Sequence, residues 1–329
     1  MRLKGQRLKS SSQDTYASAL HRFLKFTTEV AKIKPWEALP ASPTAVVKQS
    51  LVELFLAWAG RKYKVSTIKV TVQALIEWHK SKQAPTGTVA NKQVNELLKA
   101  ISEDQGPEGT PKGKTGMSKG LLRLLLACLN EKQQSRDGME ALHIRDAAWL
   151  VLGFFGLFRR SELIALKMSD IRFCREHLSI HIRFSKTDRM GKGTWVEITS
   201  KSKDGIKIQD RVAALHAIRI SQGAKPEDPF LTAWDLDAMV LSNRALRNGQ
   251  ALAERLKLHL TQLKSSFPQL TINPQSYGMH SLRRGGVVAA WEAGIDIDKL
   301  KAHGRWRSDA IQSYLTANLK IKLSVSQSM

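Results

Sequence analysis

Three short segments of this 329-residue chain gather side chains able to work on a phosphate. In Gly156-Leu157-Phe158-Arg159-Arg160-Ser161-Glu162-Leu163 an apolar helix ends, and two guanidinium groups stand just before a helix-starting Ser161-Glu162. In Ser185-Lys186-Thr187-Asp188 a lysine sits at the turn of a polar, cation-rich hairpin, where a flexible ammonium could reach a phosphate or a minor groove. In His280-Ser281-Leu282-Arg283-Arg284-Gly285-Gly286 the histidine and first arginine are three apart, so a helix puts them on one face. Downstream, His303-Gly304-Arg305-Trp306-Arg307-Ser308 leads to Tyr314 on a short amphipathic piece. Taken singly, each has a plainer reading: a capped helix start with solvated arginines, a solvent-facing hairpin lysine, a glycine pair for close packing, a boundary tyrosine. Gly113-Lys114-Thr115 imitates the end of a P-loop, but Glu108 stands where that motif needs its first glycine and no strand precedes it.

The elements that must position these residues read as mainly α. Ser12 is placed to cap a helix with Tyr16, Leu20, Phe23, Leu24 and Phe26 on one face. A second helix, entered after Pro43, carries Val47, Leu51, Leu54, Phe55 and Trp58; a third, led by Ser66, carries Ile68, Val72, Leu75, Ile76 and Trp78; a fourth carries Val89, Val94, Leu97, Leu98 and Ile101. Four such helices make a small bundle over residues 1–102. Gly, Pro and Lys break every pattern over the linker, residues 103–116. From 117 to 329 the reading is α+β. Buried helices at Leu121–Leu129 and Ala147–Phe155 precede an alternating Leu178, Ile180, Ile182, Phe184 and a second alternation at 195–198, a small antiparallel sheet. Helical patterns return at 209–221, 243–264 and 280–293, and in short pieces to 320.

Composition narrows the partner. Fifty-two Lys and Arg against 29 Asp and Glu give a net charge of +23. The excess is spread over both parts, with 20 basic and 9 acidic residues in 1–120. Two basic units point to one long polyanion, most simply duplex DNA, against the alternative of a merely basic globular protein. Two cysteines build no disulfide framework, no apolar run reaches the roughly 18 residues of a membrane span, and the stretch MRLKGQRLKS holds no apolar signal core. The expectation is a protein that is neither secreted nor membrane-spanning. Neither a two-metal carboxylate cluster nor a zinc-spaced Cys/His set is present, so neither metal nor cofactor is expected.

Together the segments resemble the tyrosine recombinase (phage integrase) family. Arg159-Arg160-Ser161-Glu162-Leu163 is similar to its R-x-S-E-L box, Ser185-Lys186-Thr187 to its lysine hairpin, and His280-Ser281-Leu282-Arg283 to its H-x-L-R box. Gly304 to Tyr314 spans the interval from the glycine of the G-H/W element to the nucleophile. The resemblance implies a core-binding, SAM-like bundle followed by a catalytic domain that cuts and rejoins DNA through a 3′-phosphotyrosyl bond, without metal or ATP. It implies Arg159, Lys186, His280, Arg283 and Tyr314 as catalytic residues and Glu162 as a support. Arg160, Lys192, Arg284 and Arg307 become candidate DNA contacts. In one element the chain departs from the pattern: Arg305 follows Gly304, so His303, Arg305 and Trp306 all compete for the His/Trp place. Gly304-Arg305-Trp306 is similar to recombinases of DIRS- and Crypton-type mobile elements. The family further implies a homotetramer on paired duplexes, acting in the nucleus of a eukaryote or the cytoplasm of a bacterium. The rivals are a DNA-binding descendant that no longer cuts, and a type IB topoisomerase-like enzyme.

Overall fold

The computed structural model describes residues 10–40, 42, 45–106, 114–134, 138–185 and 192–315. The chain divides into two compact units, Met1–Gly113 and Lys114–Met329.

The first unit is all helix among its described residues: α1 (Ser10–Glu29), a single turn α2 (Pro35–Ala38), α3 (Gln49–Gly60), α4 (Val65–Ser81) and α5 (Lys92–Asp104). Phe23, Phe55 and Leu56 are fully enclosed, with Phe23 and Phe26 meeting the Phe55 ring edge to face at 5.4 and 5.5 Å. The expected stripes form most of the core, but Val47 and Val89 lie before α3 and α5, Ser66 lies inside α4, and two further residues depart from the expectation. Leu54, at 59% exposure, faces out, and Ser12 lies inside α1, which starts earlier at Ser10. The α5 helix is capped by the Asn91 side chain and runs to Asp104, two residues into the expected linker. Pro43 lies outside the described residues. Buried His79 accepts the Val47 N–H at Nε2 (3.1 Å), which leaves Nδ1–H to donate to Leu75 O (2.8 Å). Burial lowers its pKa.

The second unit is built around α7 (Glu140–Phe155), which is buried on almost every side and touched by α6 (Lys119–Gln133), α9 (Ile208–Ser221) and α11 (Met279–Glu292). Its stretch from Ala147 to Phe154 is apolar on every face and has to sit inside. Its one buried carboxylate, Asp146, accepts from Arg145 (2.8 Å), Trp149 (3.0 Å), Arg255 (2.7 Å) and His259 (2.8 Å). Desolvation opposes its charge, but the cations of Arg145, His259 and Arg255 hold its pKa far below the usual carboxylate range. Arg255 and His259 stand on α10 (Gln250–Ser266), so this network ties α10 to α7.

Strands β1 (Ile171–Phe173), β2 (His177–Ile182) and β3 (Thr194–Thr199) pair antiparallel in that order, with Ile180 opposite Val196 on the buried face and His181 opposite Trp195 on the other. Phe184 lies past the end of β2 and is 68% exposed. The helix expected from 243 begins only at Gln250, because Val240–Ala245 forms β5 against β4 (Thr232–Asp235). Asn248-Gly249 then ends the strand run, and the Asn248 side chain accepts the Gln250 N–H (3.0 Å). The α11 glycines are needed by packing: a Cβ on Gly285 would overlap Met117 O, and one on Gly286 would overlap Phe154 O. No helix among the described residues is long and apolar enough to cross a membrane.

Candidate active site

The end of α7 organises the site. Its last carbonyls have no partner further along the helix, and the chain reverses through Leu157 at φ 49°. Side chains from two distant segments fill the gap. His303 Nε2 donates to Phe155 O (2.8 Å), and Arg305 donates to Gly156 O (3.3 Å) and Leu157 O (3.1 Å). Arg283 also donates to Leu157 O. Cations here suit the negative end of the helix.

Directly after this turn Arg159 opens the one-turn helix α8 (Arg160–Ile164). Glu162 is 2% exposed; its Oε2 accepts the Arg159 N–H (2.9 Å) and its Oε1 the Arg159 side chain (2.6 Å). Arg305 approaches the same carboxylate from the other side (3.0 Å). Burial alone would raise the pKa of Glu162, but Arg305 and Arg159 overcome it and hold it below the usual range.

Arg283, on α11, is fully enclosed. Its Nη2 donates to Gly304 O (2.7 Å), and the Trp306 ring lies over its guanidinium at 3.7 Å. A Cβ on Gly304 would overlap the Trp306 ring, so the glycine is what lets the indole lie there. Burial and the neighbouring Arg159 push Arg283 down to about 9, still protonated at neutral pH.

Tyr314 lies on the last turn, α13 (Gln312–Leu315), with its hydroxyl 2.7 Å from His280 Nε2 and its ring edge-on to those of His280 (5.3 Å) and Trp306 (5.8 Å). Desolvation and the guanidinium groups of Arg283, Arg284 and Arg159 lower the pKa of His280. A neutral imidazole with its proton on Nδ1 presents Nε2 as an acceptor for the phenol O–H. Arg159, His280, Trp306 and Tyr314 line one open cleft of about 850 Å³.

Arg160 and Arg307 also line this cleft, whereas Arg284 donates to Lys114 O (3.2 Å) and Lys192 is exposed on the approach to β3. His303, Arg305 and Arg283 are not at its surface: the first two turn back onto the end of α7, and Arg283 is enclosed under Trp306. Lys186 lies outside the described residues, as does the tail beyond Leu315. Sequence reasoning missed Lys114 and Lys257, two further cations on the cleft wall. Lys114 falls in the expected linker, where nothing marks it as a site residue, and Lys257 looks like any solvated lysine on a helix. Among the described residues no His/Cys/Asp/Glu group is arranged to hold a metal ion.

The fold is that of the tyrosine recombinases, and Arg159, His280, Arg283 and Tyr314 follow one another along it as the resemblance implies. In sequence the chain is similar to an integrase/recombinase xerD homolog of Selenomonas ruminantium, 24% identical over 275 residues that cover 82% of this chain and 72% of that protein. Among solved structures it is similar to XerH site-specific recombinase bound to a palindromic difH substrate (TM-score 0.60, 17% identity, 97% of this chain and 80% of that one). It is also similar to the Tn1549 transposon integrase in complex with transposon right end DNA (TM-score 0.60, 13% identity, 98% and 94%). A lambda integrase dimer bound to a COC′ core site aligns as well (TM-score 0.54, 12% identity, 95% and 73%). No family model matches the sequence. At these identities the structural likeness is one of fold.

Proposed function

We propose that this chain is a site-specific DNA recombinase that cuts and rejoins strands through a 3′-phosphotyrosyl intermediate. The observation that carries the reading is the Tyr314 hydroxyl held 2.7 Å from His280 Nε2, in a cleft shared with Arg159. In the reaction the phenol oxygen attacks phosphorus while its proton passes to His280 Nε2. The bond from phosphorus to the 5′-oxygen breaks, and that oxygen leaves with the electron pair and takes a proton, which the family resemblance assigns to Lys186. Arg159, at the cleft surface, balances the charge that grows on the non-bridging oxygens, and the enclosed Arg283 adds its positive field. Attack by a 5′-hydroxyl on the phosphotyrosine reverses every step, so rejoining requires no ATP.

Trp306 is the side chain proposed for the His/Trp place, since it covers Arg283 and touches Tyr314 while His303 and Arg305 cap a helix. Arg160, Arg284, Arg307, Lys192, Lys114 and Lys257 are proposed to meet the DNA backbone; each phosphate contact adds about 0.9 to the salt slope of binding. The helical unit 1–102 is proposed as a core-binding domain, and a homotetramer as the assembly that joins two duplexes. The protein would act where that DNA lies, in a bacterial cytoplasm or a eukaryotic nucleus. The likeness of Gly304-Arg305-Trp306 to DIRS- and Crypton-type recombinases is kept as part of this proposal.

The test uses duplexes selected by the protein from a random-sequence library and then nicked near the centre to trap cleavage. Wild-type protein gives an adduct that survives SDS, and Tyr314→Phe binds equally but gives none. If both proteins bind and neither forms the adduct, the chemistry proposed is wrong and a DNA-binding descendant becomes the better account.

A further inference from the structure

The Glu162 carboxylate has too many partners for a simple helix cap. It is buried, carries one negative charge, and is shared between two guanidinium groups: Arg159, which faces the cleft, and Arg305, which does not. Arg305 is also the residue that takes the left-handed turn ending α12 (Ile297–Gly304), at φ 59°, where glycine or asparagine is usual. A long charged side chain holds that conformation because its two terminal nitrogens are bonded inside the protein. Its side chain is 6% exposed, and it donates to His303 O (2.9 Å), Gly156 O and Leu157 O as well as to Glu162.

We infer that Arg305 is a positioning residue for the cleavage site: through Glu162 it leaves Arg159 free to serve the phosphate, and by taking the turn it delivers Trp306 onto Arg283. This rests on the recombinase reading above and extends it to a residue that touches neither DNA nor Tyr314.

The charge argument is direct. Within the Glu162 group there is one carboxylate and two cations, so one positive charge is left over, and Arg159 is the cation that lines the cleft. Without Arg305 the carboxylate claims Arg159 entirely and the surplus disappears. The backbone argument is separate. Arg305 bonds the carbonyls of the turn that precedes Arg159, so the two loops carrying Arg159 and Trp306 are clamped to each other. A lysine in its place keeps the charge but has no planar fork to span those carbonyls and the carboxylate together.

The experiment measures single-turnover adduct formation and DNA binding across salt for wild type, Arg305→Gln, Arg305→Lys, Glu162→Gln and the double variant E162Q/R305Q. Misplacement of this kind slows cleavage about 100-fold, so R305Q is expected to lose that much rate while keeping its affinity and the wild-type salt slope. R305K recovers part of the rate. The double variant, which removes the buried charge together with its partner, cleaves faster than R305Q although it carries one more substitution. It also keeps the test decisive if R305Q folds poorly, because no unbalanced carboxylate is left inside it. The inference is overturned if R305Q cleaves at the wild-type rate, if its salt slope drops by about 0.9 as for a lost phosphate contact, or if the double variant is slower than R305Q. A wild-type protein that forms no adduct at all overturns the recombinase reading itself, and this inference with it.

Discussion

The two walls of the cleft are anchored very differently. Arg159 precedes α8 and lines the cleft, while Arg283, on α11, is enclosed under the Trp306 ring; both are set against the large core around α7, where Trp149, Leu152, Phe158 and Leu282 are enclosed. Tyr314 grows from a single turn whose support is a separate cluster of Leu157, Val287, Leu300, Ile311 and Leu315. The cationic wall is held by buried bonds to main-chain carbonyls and a carboxylate, whereas the tyrosine has an apolar pad and one hydrogen bond to His280. Electrostatic stabilisation works when its dipoles and charges are fixed in advance. A nucleophile that stays bonded to phosphorus while one strand is exchanged for another has to follow it. Few buried apolar contacts mean a low local unfolding cost, so on the proposed chemistry the division of the fold would follow the division of labour.

That contrast can be attacked from its strongest point. Asp146→Ala removes the acceptor beneath Arg145, Arg255 and His259 and is expected to cost about 3–5 kcal/mol in denaturant unfolding, as breaking a buried pair does. If the loss is under 1 kcal/mol, the network does not root the cationic wall. Ile311→Ala opens a cavity under the tyrosine turn at a cost of about 2–5 kcal/mol, and here the location matters more than the size. Hydrogen exchange is expected to speed up over 309–315 and stay unchanged over 140–155; equal acceleration in both would erase the distinction. Gly285→Ala drives a methyl into Met117 O and is expected to cost about 1–3 kcal/mol, seen as a lower melting temperature.

Acidity separates the walls again. Asp146 and Glu162 have lowered pKa values in the folded chain, so the stability they contribute is complete above the unfolded carboxylate range near pH 4 and is lost as the pH falls through and below it. His280 is lowered from about 6.5, so cleavage is expected on a plateau at neutral pH and to decline only below that value as the imidazole takes a proton. A rate that fell on the acid side already at pH 7.5 would exclude His280 as the base. The smallest effect expected is for Lys99→Ala, which breaks an exposed pair with Glu103 and changes stability by about 0.5 kcal/mol or less.

Much of this arrangement was readable before any coordinates. Arg159, His280, Arg283 and Tyr314 carry spacings that only make sense together, and the apolar stripes of α1, α3, α4 and α5 fall on the core. What could not be read depends on contacts between distant segments. Nothing local says that Arg305 would turn inward and Trp306 outward, because the choice is made by the carbonyls left open at the end of α7 and by Glu162, some 140 residues earlier in the chain. The β4–β5 ribbon is not legible for a related reason: Val240–Ala245 buries a single residue, Leu241, too little alternation to mark a strand, and pairing with β4 decides it.

The hydrogen bond between Tyr314 and His280 joins two residues of one polypeptide. The consequence shows when defective copies are mixed. A protomer without its tyrosine and another without its histidine each lack half of the same bond, and neither can lend the missing half across an assembly while the cleft keeps this arrangement. Two such alleles placed in one cell would fail to complement, and the count of active centres in any oligomer would equal the number of intact chains.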